Sequence, residues 1–179
     1  MRSLRVFSFL AVFVLLAMSA FPVMAKDKGP KDPNSQVARV ETFQIVQEMT
    51  AQEYMAINPE AVNVAAASGC KAYTLGRNGY SGVGVHVWTY SWTINWCYNG
   101  STITSLSKYR TVWANYYWKF TRDVAESQSG GVGTTSYSHY AQGEFCFFDN
   151  SGSCLSYSYP WVNQTVKGNG TYSGTAGGN

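Results

Sequence analysis

Residues 83–98 read Val83-Gly84-Val85-His86-Val87-Trp88-Thr89-Tyr90-Ser91-Trp92-Thr93-Ile94-Asn95-Trp96-Cys97-Tyr98, and Asn99-Gly100 follows. Alternate positions fall into two sets. One holds His86, Trp88, Tyr90, Trp92, Ile94, Trp96 and Tyr98; the other holds Val83, Val85, Val87, Thr89, Ser91, Thr93, Asn95 and Cys97. A period of two marks a strand, because successive side chains point to opposite faces. Asn99-Gly100 tolerates positive φ at both positions and predicts a two-residue hairpin turn. Folding the chain about it predicts Trp96 facing Ile103, Trp92 facing Ser107, Tyr90 facing Tyr109 and His86 facing Trp113. The other face then pairs Thr93 with Leu106, Ser91 with Lys108 and Thr89 with Arg110, so that Lys108 and Arg110 mark the solvent side. A slip of one residue would exchange the faces.

The same reading extends downstream. Asn150-Ser151-Gly152 places a second turn that sets Cys146 opposite Cys154 and Phe145 opposite Leu155. Opposed cysteines bridge when their Cβ atoms approach to about 4 Å. Leu155, Tyr157, Tyr159 and Trp161 then share the face of Phe145, while Ser156 and Ser158 share that of the cysteines. Pairing Cys146 with Cys154 leaves Cys70 with Cys97; the two other pairings, which link the hairpins directly, stay open. Further strands are expected at 71–76, 115–121 and 162–173, with a mobile glycine-rich loop at Ser127–Thr135 and a frayed tail at 174–179. About seven strands between residues 70 and 173 describe an antiparallel two-sheet β-sandwich, with a small closed β-barrel as the alternative.

Residues 70–179 hold 22 of the 28 aromatic residues, which places a boundary near Gly69. Upstream, Val37, Val40, Ile45 and Met49 recur at roughly helical spacing, widened by Phe43 and Val46, and predict a helical segment. Thr50 with Glu53 has the form of a capping box, and Asn58-Pro59-Glu60 that of another helix start. Lys26 to Ser35 is charged and broken by proline, hence a flexible leader. Residues 26–69 therefore read as leader plus helical segment, with removal as a propeptide an open alternative. At the front, Arg2 and Arg5 precede the apolar run Val6–Ala20, then Pro22 and Val23-Met24-Ala25. That is the form of a secretory signal peptide cleaved after Ala25. The run of 15 residues is short of the roughly 20 that span a bilayer.

Cleavage leaves 11 basic and 10 acidic groups. So balanced a chain has no electrostatic reason to seek nucleic acid or an anionic membrane. Four cysteines in an exported chain read as two disulfides rather than a metal site: no two of them lie two to four residues apart. Only His86 and His139 are present, neither in a nucleophile motif, and the nucleophile elbow, zinc-protease, phosphate-loop and dinucleotide signatures are all missing. No cofactor and no catalytic residue are implied. Asp123, Glu126, Glu144 and Asp149 offer carboxylates for glycoside hydrolysis, but nothing selects a pair. Asn99-Gly100-Ser101, Asn163-Gln164-Thr165 and Asn169-Gly170-Thr171 match the glycosylation acceptor pattern.

The aromatic set is the functional clue. From His86 to Tyr98 is about 40 Å of ribbon at ~3.3 Å per residue, twice an ordinary strand. Such a stripe outruns an ordinary core, so part of it is expected to surface as an interaction platform. Trp88, Tyr90, Trp92 and Trp96 are the candidate ligand-binding residues. Tyr116, Tyr117 and Trp118 form a second cluster, of which adjacent members point opposite ways. A flat aromatic face with neighbouring hydroxyls suits sugar rings or an aromatic-rich protein partner. The expectation is a secreted binding protein for a glycan or another protein. The alternatives are a secreted effector or antimicrobial with a removable helical pro-segment and, less favoured, a secreted glycoside hydrolase.

Trp96-Cys97-Tyr98-Asn99-Gly100-Ser101-Thr102-Ile103-Thr104, with Tyr159-Pro160-Trp161-Val162 and Gly168-Asn169-Gly170, resembles a group of small secreted bacterial proteins without an assigned activity. The likeness spans roughly residues 70–175. It implies a secreted, disulfide-linked β-domain and brings no functional residue with it.

Overall fold

The computed structural model describes residues 37–61, 64, 67–148 and 151–179. The signal-peptide reading of 1–25, the leader at 26–35, and Asp149 and Asn150 lie outside these. The described chain forms β1 (Val37–Met49), α1 (Ala51–Ile57), β2 (Gly69–Ser81), β3 (His86–Tyr98), β4 (Ile103–Ala114), β5 (Trp118–Gly130), β6 (Ser136–Phe148), β7 (Cys154–Ser158), β8 (Trp161–Lys167) and β9 (Tyr172–Gly177). One antiparallel sheet runs β1-β2-β3-β4. The other runs β5-β6-β8-β9, with β7 also paired to β6. Two open sheets face each other as a β-sandwich, without barrel closure.

Alternation along each strand builds the core. β3 turns Trp88, Tyr90, Trp92, Ile94 and Trp96 inward, where they meet Tyr73 and Leu75 of β2, Tyr137, Ala141, Phe145 and Phe147 of β6, and Val162 and Val166 of β8. Trp88, Tyr90 and Trp96 are 0% exposed and Trp92 is 7% exposed, so the platform expected from these four residues is interior instead. The reason lies in the facing sheet. β6 runs 13 residues, as β3 does, and lies under Trp88 to Trp92, while β8 and β9 meet the Trp96 end, so the facing sheet covers the stripe from Trp88 to Trp96. Trp88 stacks on Phe145 at 5.2 Å, Trp92 meets His139 at 4.6 Å, and the Trp96 indole donates to the Lys167 carbonyl at 3.1 Å. Each large apolar side chain buried this way contributes roughly 1.5–3 kcal/mol. Gly79 lies directly under the Trp88 indole, where a Cβ would find no room.

The β3–β4 hairpin forms, but in another register. Trp96 pairs with Leu106, Ile94 with Lys108, Trp92 with Arg110, Tyr90 with Val112 and Thr89 with Trp113. The turn spans four residues rather than two. Asn99 Oδ1 accepts from the Ser101 and Thr102 amides at 3.1 and 2.9 Å, and Gly100 alone need adopt φ 97° there. A bulge beside Cys97 and Tyr98 adds a further residue. The total offset of three is odd, so the faces exchange: Lys108 and Arg110 lie on the aromatic face, and Tyr109 and Trp113 on the outer one.

The upstream segment differs more. Residues 37–49 form strand β1, paired with β2 from Val37 to Met49, in place of the expected helical segment. Half-buried positions recur every third residue, at Val37, Val40, Phe43, Val46 and Met49. Val40 and Val46 look inward while Phe43 and Met49 look outward, so two alternating faces each covered every sixth residue imitate a helical stripe. The capping box is present: the Glu53 amide donates to Thr50 Oγ1 at 3.1 Å, and the Thr50 amide to the Glu53 carboxylate at 2.7 Å. It starts α1, whose Tyr54 is fully buried with its hydroxyl 3.1 Å from Ser105 Oγ. Asn58 ends that helix, its amide and side chain both donating to the Tyr54 carbonyl, where the sequence suggested a start. The boundary expected near Gly69 therefore crosses a continuous sheet.

Disulfides join Cys70 to Cys97, across β2 and β3, and Cys146 to Cys154. In β7 the partner of Cys154 is Phe148, while Cys146 faces Tyr157, because a bulge interrupts the ladder at Phe147 and Phe148. Leu155 and Tyr157 are consequently half exposed rather than facing inward with Phe145. Ser127–Gly130 extends β5 instead of joining a mobile loop, and β9 pairs Tyr172–Gly177 with β8 where a frayed tail was expected.

Candidate functional site

The inward candidates Trp88, Tyr90, Trp92 and Trp96 are closed to any ligand of the folded chain. They abut a polar seam where β4 meets β5. The Trp92 indole donates to the Tyr90 hydroxyl at 3.0 Å, which donates to Asp123 at 2.9 Å. Arg110 pairs with the other Asp123 oxygen, and Lys108 with Glu126. Lys108 also lies 5.3 Å over the Trp92 ring and Arg110 4.5 Å over Phe120. His139 is fully buried, its Nε2 3.2 Å from Glu126.

Charge and burial set the protonation states along this seam. The Lys108 hydrogen bond holds the Glu126 carboxyl below its ordinary value. Burial, helped by the Lys108 charge, pushes His139 down. Burial pushes the Tyr90 phenol up to about 12, against the Trp92 hydrogen bond and the Arg110 charge. Glu126 is thus held ionised, the opposite of what a general acid requires. Glu144 accepts from Thr121 at 2.5 Å and lies 3.7 Å from Arg122. Among the described residues, no three His, Cys, Asp or Glu side chains gather in a way that could hold a metal.

The outer face of the β1–β4 sheet is a different surface. Antiparallel pairing brings Arg39, Tyr80 and His86 onto one rung. A bulge where β3 begins turns Val87 inward beside Trp88, and leaves His86 outward. His86 stacks on Trp113 at 4.5 Å and 15°, Tyr80 meets His86 at 5.4 Å, and the Arg39 guanidinium lies 4.7 Å over Tyr80. Four planar groups from four adjacent strands thus form one row. The His86 and Trp113 rings lie nearly parallel, while Tyr80 is tilted 42° to His86. The row ends at Trp113 on the edge strand, 47% exposed.

Hydrogen bonding fixes the His86 tautomer. Its Nε2 lies 3.0 Å from the Trp88 carbonyl and 2.9 Å from Thr89 Oγ1, whose own hydrogen goes to Asn78 at 2.8 Å. A carbonyl only accepts, so Nε2 carries a hydrogen. Beside the row lie Asn78, Thr89 and Thr111, while Ser91 and Thr93 are buried between the strands, Thr93 with its hydroxyl 2.7 Å from that of Thr74 and Ser91 beside the Phe43 ring that covers Gly76. Tyr109 rises from the same face at 52% exposure. Further along β4, a cavity of about 390 Å3 opens between α1 and the strand, lined by Tyr54, Ile57, Pro59, Glu60, Ser105 and Ser107.

Reading the sequence missed this row. Trp113 and His86 are legible as neighbours across a hairpin, but their outward direction depends on the offset of three and the bulge at Val87. Tyr116 and Tyr117 are both exposed because they form the turn between β4 and β5 rather than the strand expected at 115–121, and Trp118, the first residue of β5, is buried. Asn99 and Asn169 occupy turns, and Asn163 is exposed on β8. The class these features define is a two-sheet, disulfide-linked β-sandwich with an outward row of contacting planar side chains. No family model, curated protein or solved structure matches the chain.

Proposed function

We propose that this chain is an exported binding module that takes a glycan on the outer face of its four-stranded sheet. The supporting observation is the Arg39–Tyr80–His86–Trp113 row, ending in a half-exposed indole beside the hydroxyls of Thr89 and Thr111 and the carboxamide of Asn78. A sugar ring offers an apolar face to an indole and hydroxyls to its surroundings, and such mixed surroundings are what this face supplies. Two disulfides, and the absence among the described residues of a helix long and apolar enough to cross a membrane, are compatible with an extracellular protein. The resemblance to small secreted bacterial β-domains supports the same setting.

The effector reading, in which residues 26–69 are removed, carries a structural cost: β1 would leave the sheet edge and expose its ladder with β2. Screening the purified chain on a glycan array tests the proposal. Binding is expected for the native chain and reduced for Trp113→Ala with unchanged thermal stability. Absence of any bound glycan, or full binding by a folded Trp113→Ala variant, refutes it.

A further inference from the structure

The balance of charge around this face narrows the ligand further, on the assumption that it is a glycan. The accessible outward positions beside the row are Asn78, Thr89, Tyr109, Thr111 and Trp113, all uncharged apart from the adjoining His86. The cations nearest to them are already engaged. Arg39 pairs with Glu41 at 3.2 Å and stacks on Tyr80. On the reverse side of β4, Lys108 pairs with Glu126 and Arg110 with Asp123. Glu60 at the α1 end adds a negative group. A carboxylated or sulfated chain laid here would lose hydration, meet no unpaired cation among the described residues and approach a carboxylate, which is unfavourable.

The exposed rings also set a direction. Trp113 and Tyr109 lie four residues apart on one face of β4, about 13 Å. Ser107, at the lip of the α1 cavity, lies two residues further on the same face, about 20 Å from Trp113. The two rings, the exposed Thr111 between them and the cavity thus fall along a single strand at the sheet edge.

We infer that the ligand is an uncharged polysaccharide chain, lying along β4 with separate rings against Trp113 and Tyr109 and its end toward the α1 cavity. Aromatic stacking and hydroxyl exchange supply the attraction, and ion pairing does not. Binding is therefore insensitive to salt, unlike a contact that neutralises charge.

Affinity electrophoresis tests this, with native gels containing mixed-linkage glucan, galactomannan, polygalacturonate or a sulfated galactan, each at low and high salt. The expected result is retardation by at least one of the two neutral polymers, equal at both salt levels, and none by the two anionic ones. Trp113→Ala and Tyr109→Ala should each weaken binding by about tenfold, and Trp113→Phe should recover much of it. Circular dichroism and melting of the variants verify that they fold. Retardation confined to the anionic polymers and relieved by salt overturns the neutral class while leaving glycan binding intact. Retardation by neutral polymers with Tyr109→Ala unaffected overturns the path along β4. No retardation by any polymer, alongside an empty glycan array, removes the glycan reading itself.

Discussion

Replacing Tyr90 by Phe deletes one oxygen from the seam, and its consequences can be worked through. That oxygen accepts from the Trp92 indole and donates to Asp123, in a residue 0% exposed. Asp123 keeps Arg110 as partner. The Trp92 N–H keeps none, and a buried donor left unsatisfied costs about 1–3 kcal/mol. A second signature appears in alkali. The folded phenol titrates at about 12 against an ordinary 10.0. Below pH 10 both folded and unfolded forms are protonated. Above it the unfolded chain ionises first, so stability falls as pH rises toward 12, by on the order of 2–3 kcal/mol in the limit. Tyr54, Tyr73 and Tyr137 are also raised by burial, so the variant keeps part of that slope. Urea unfolding followed by tryptophan fluorescence, near neutrality and between pH 10 and about 12, measures both effects. A variant as stable as the native chain at neutrality, with the same alkaline slope, would refute the network.

In acid, stability should fall from pH 6.5 downward, because the folded His139 resists protonation while the unfolded chain accepts it; a second loss follows below pH 4.5 as Glu126 is protonated. His139→Gln should flatten the upper part of that decline in urea titrations. Gly79→Ala should destabilise by about 1–3 kcal/mol in thermal melts, since a methyl group must displace the Trp88 indole. Replacing Cys70 and Cys97 together by Ser should cost about 2–4 kcal/mol by chemical denaturation, and an unchanged midpoint would argue against the bridge.

The strands of this molecule were legible where alternation is strong, and their registers were not. The run from Trp88 to Tyr98 announces a strand because large and small residues alternate without interruption. Where it pairs depends on Asn99, whose carboxamide oxygen closes a wider turn than Asn-Gly ordinarily makes, and on a bulge beside Cys97. Neither leaves a mark in the pattern of apolar residues. The β1 segment misleads for a related reason: Val40 and Val46 serve one face and Phe43 and Met49 the other, which together imitate helical spacing. The burial of the stripe was hidden because it depends on β6, β8 and β9, distant in sequence. The outer row depends on all of these at once. Arg39 reaches Tyr80 only if residues 37–49 are a strand, and His86 reaches Trp113 only through the bulge at Val87. What composition did convey was the proportion of rings to charges, which a sandwich uses to fill a core and still leaves some outside.

The interior stripe and the proposed glycan-binding face are opposite sides of one sheet. Hydroxyl-radical footprinting read by mass spectrometry, with and without the neutral polysaccharide, follows the six tryptophans separately. Trp113 should be oxidised readily in the free protein and protected when the polymer binds, with Trp88, Trp92 and Trp96 resistant in both states. Oxidation of those three in the folded chain, or a Trp113 signal indifferent to bound polymer, would contradict it.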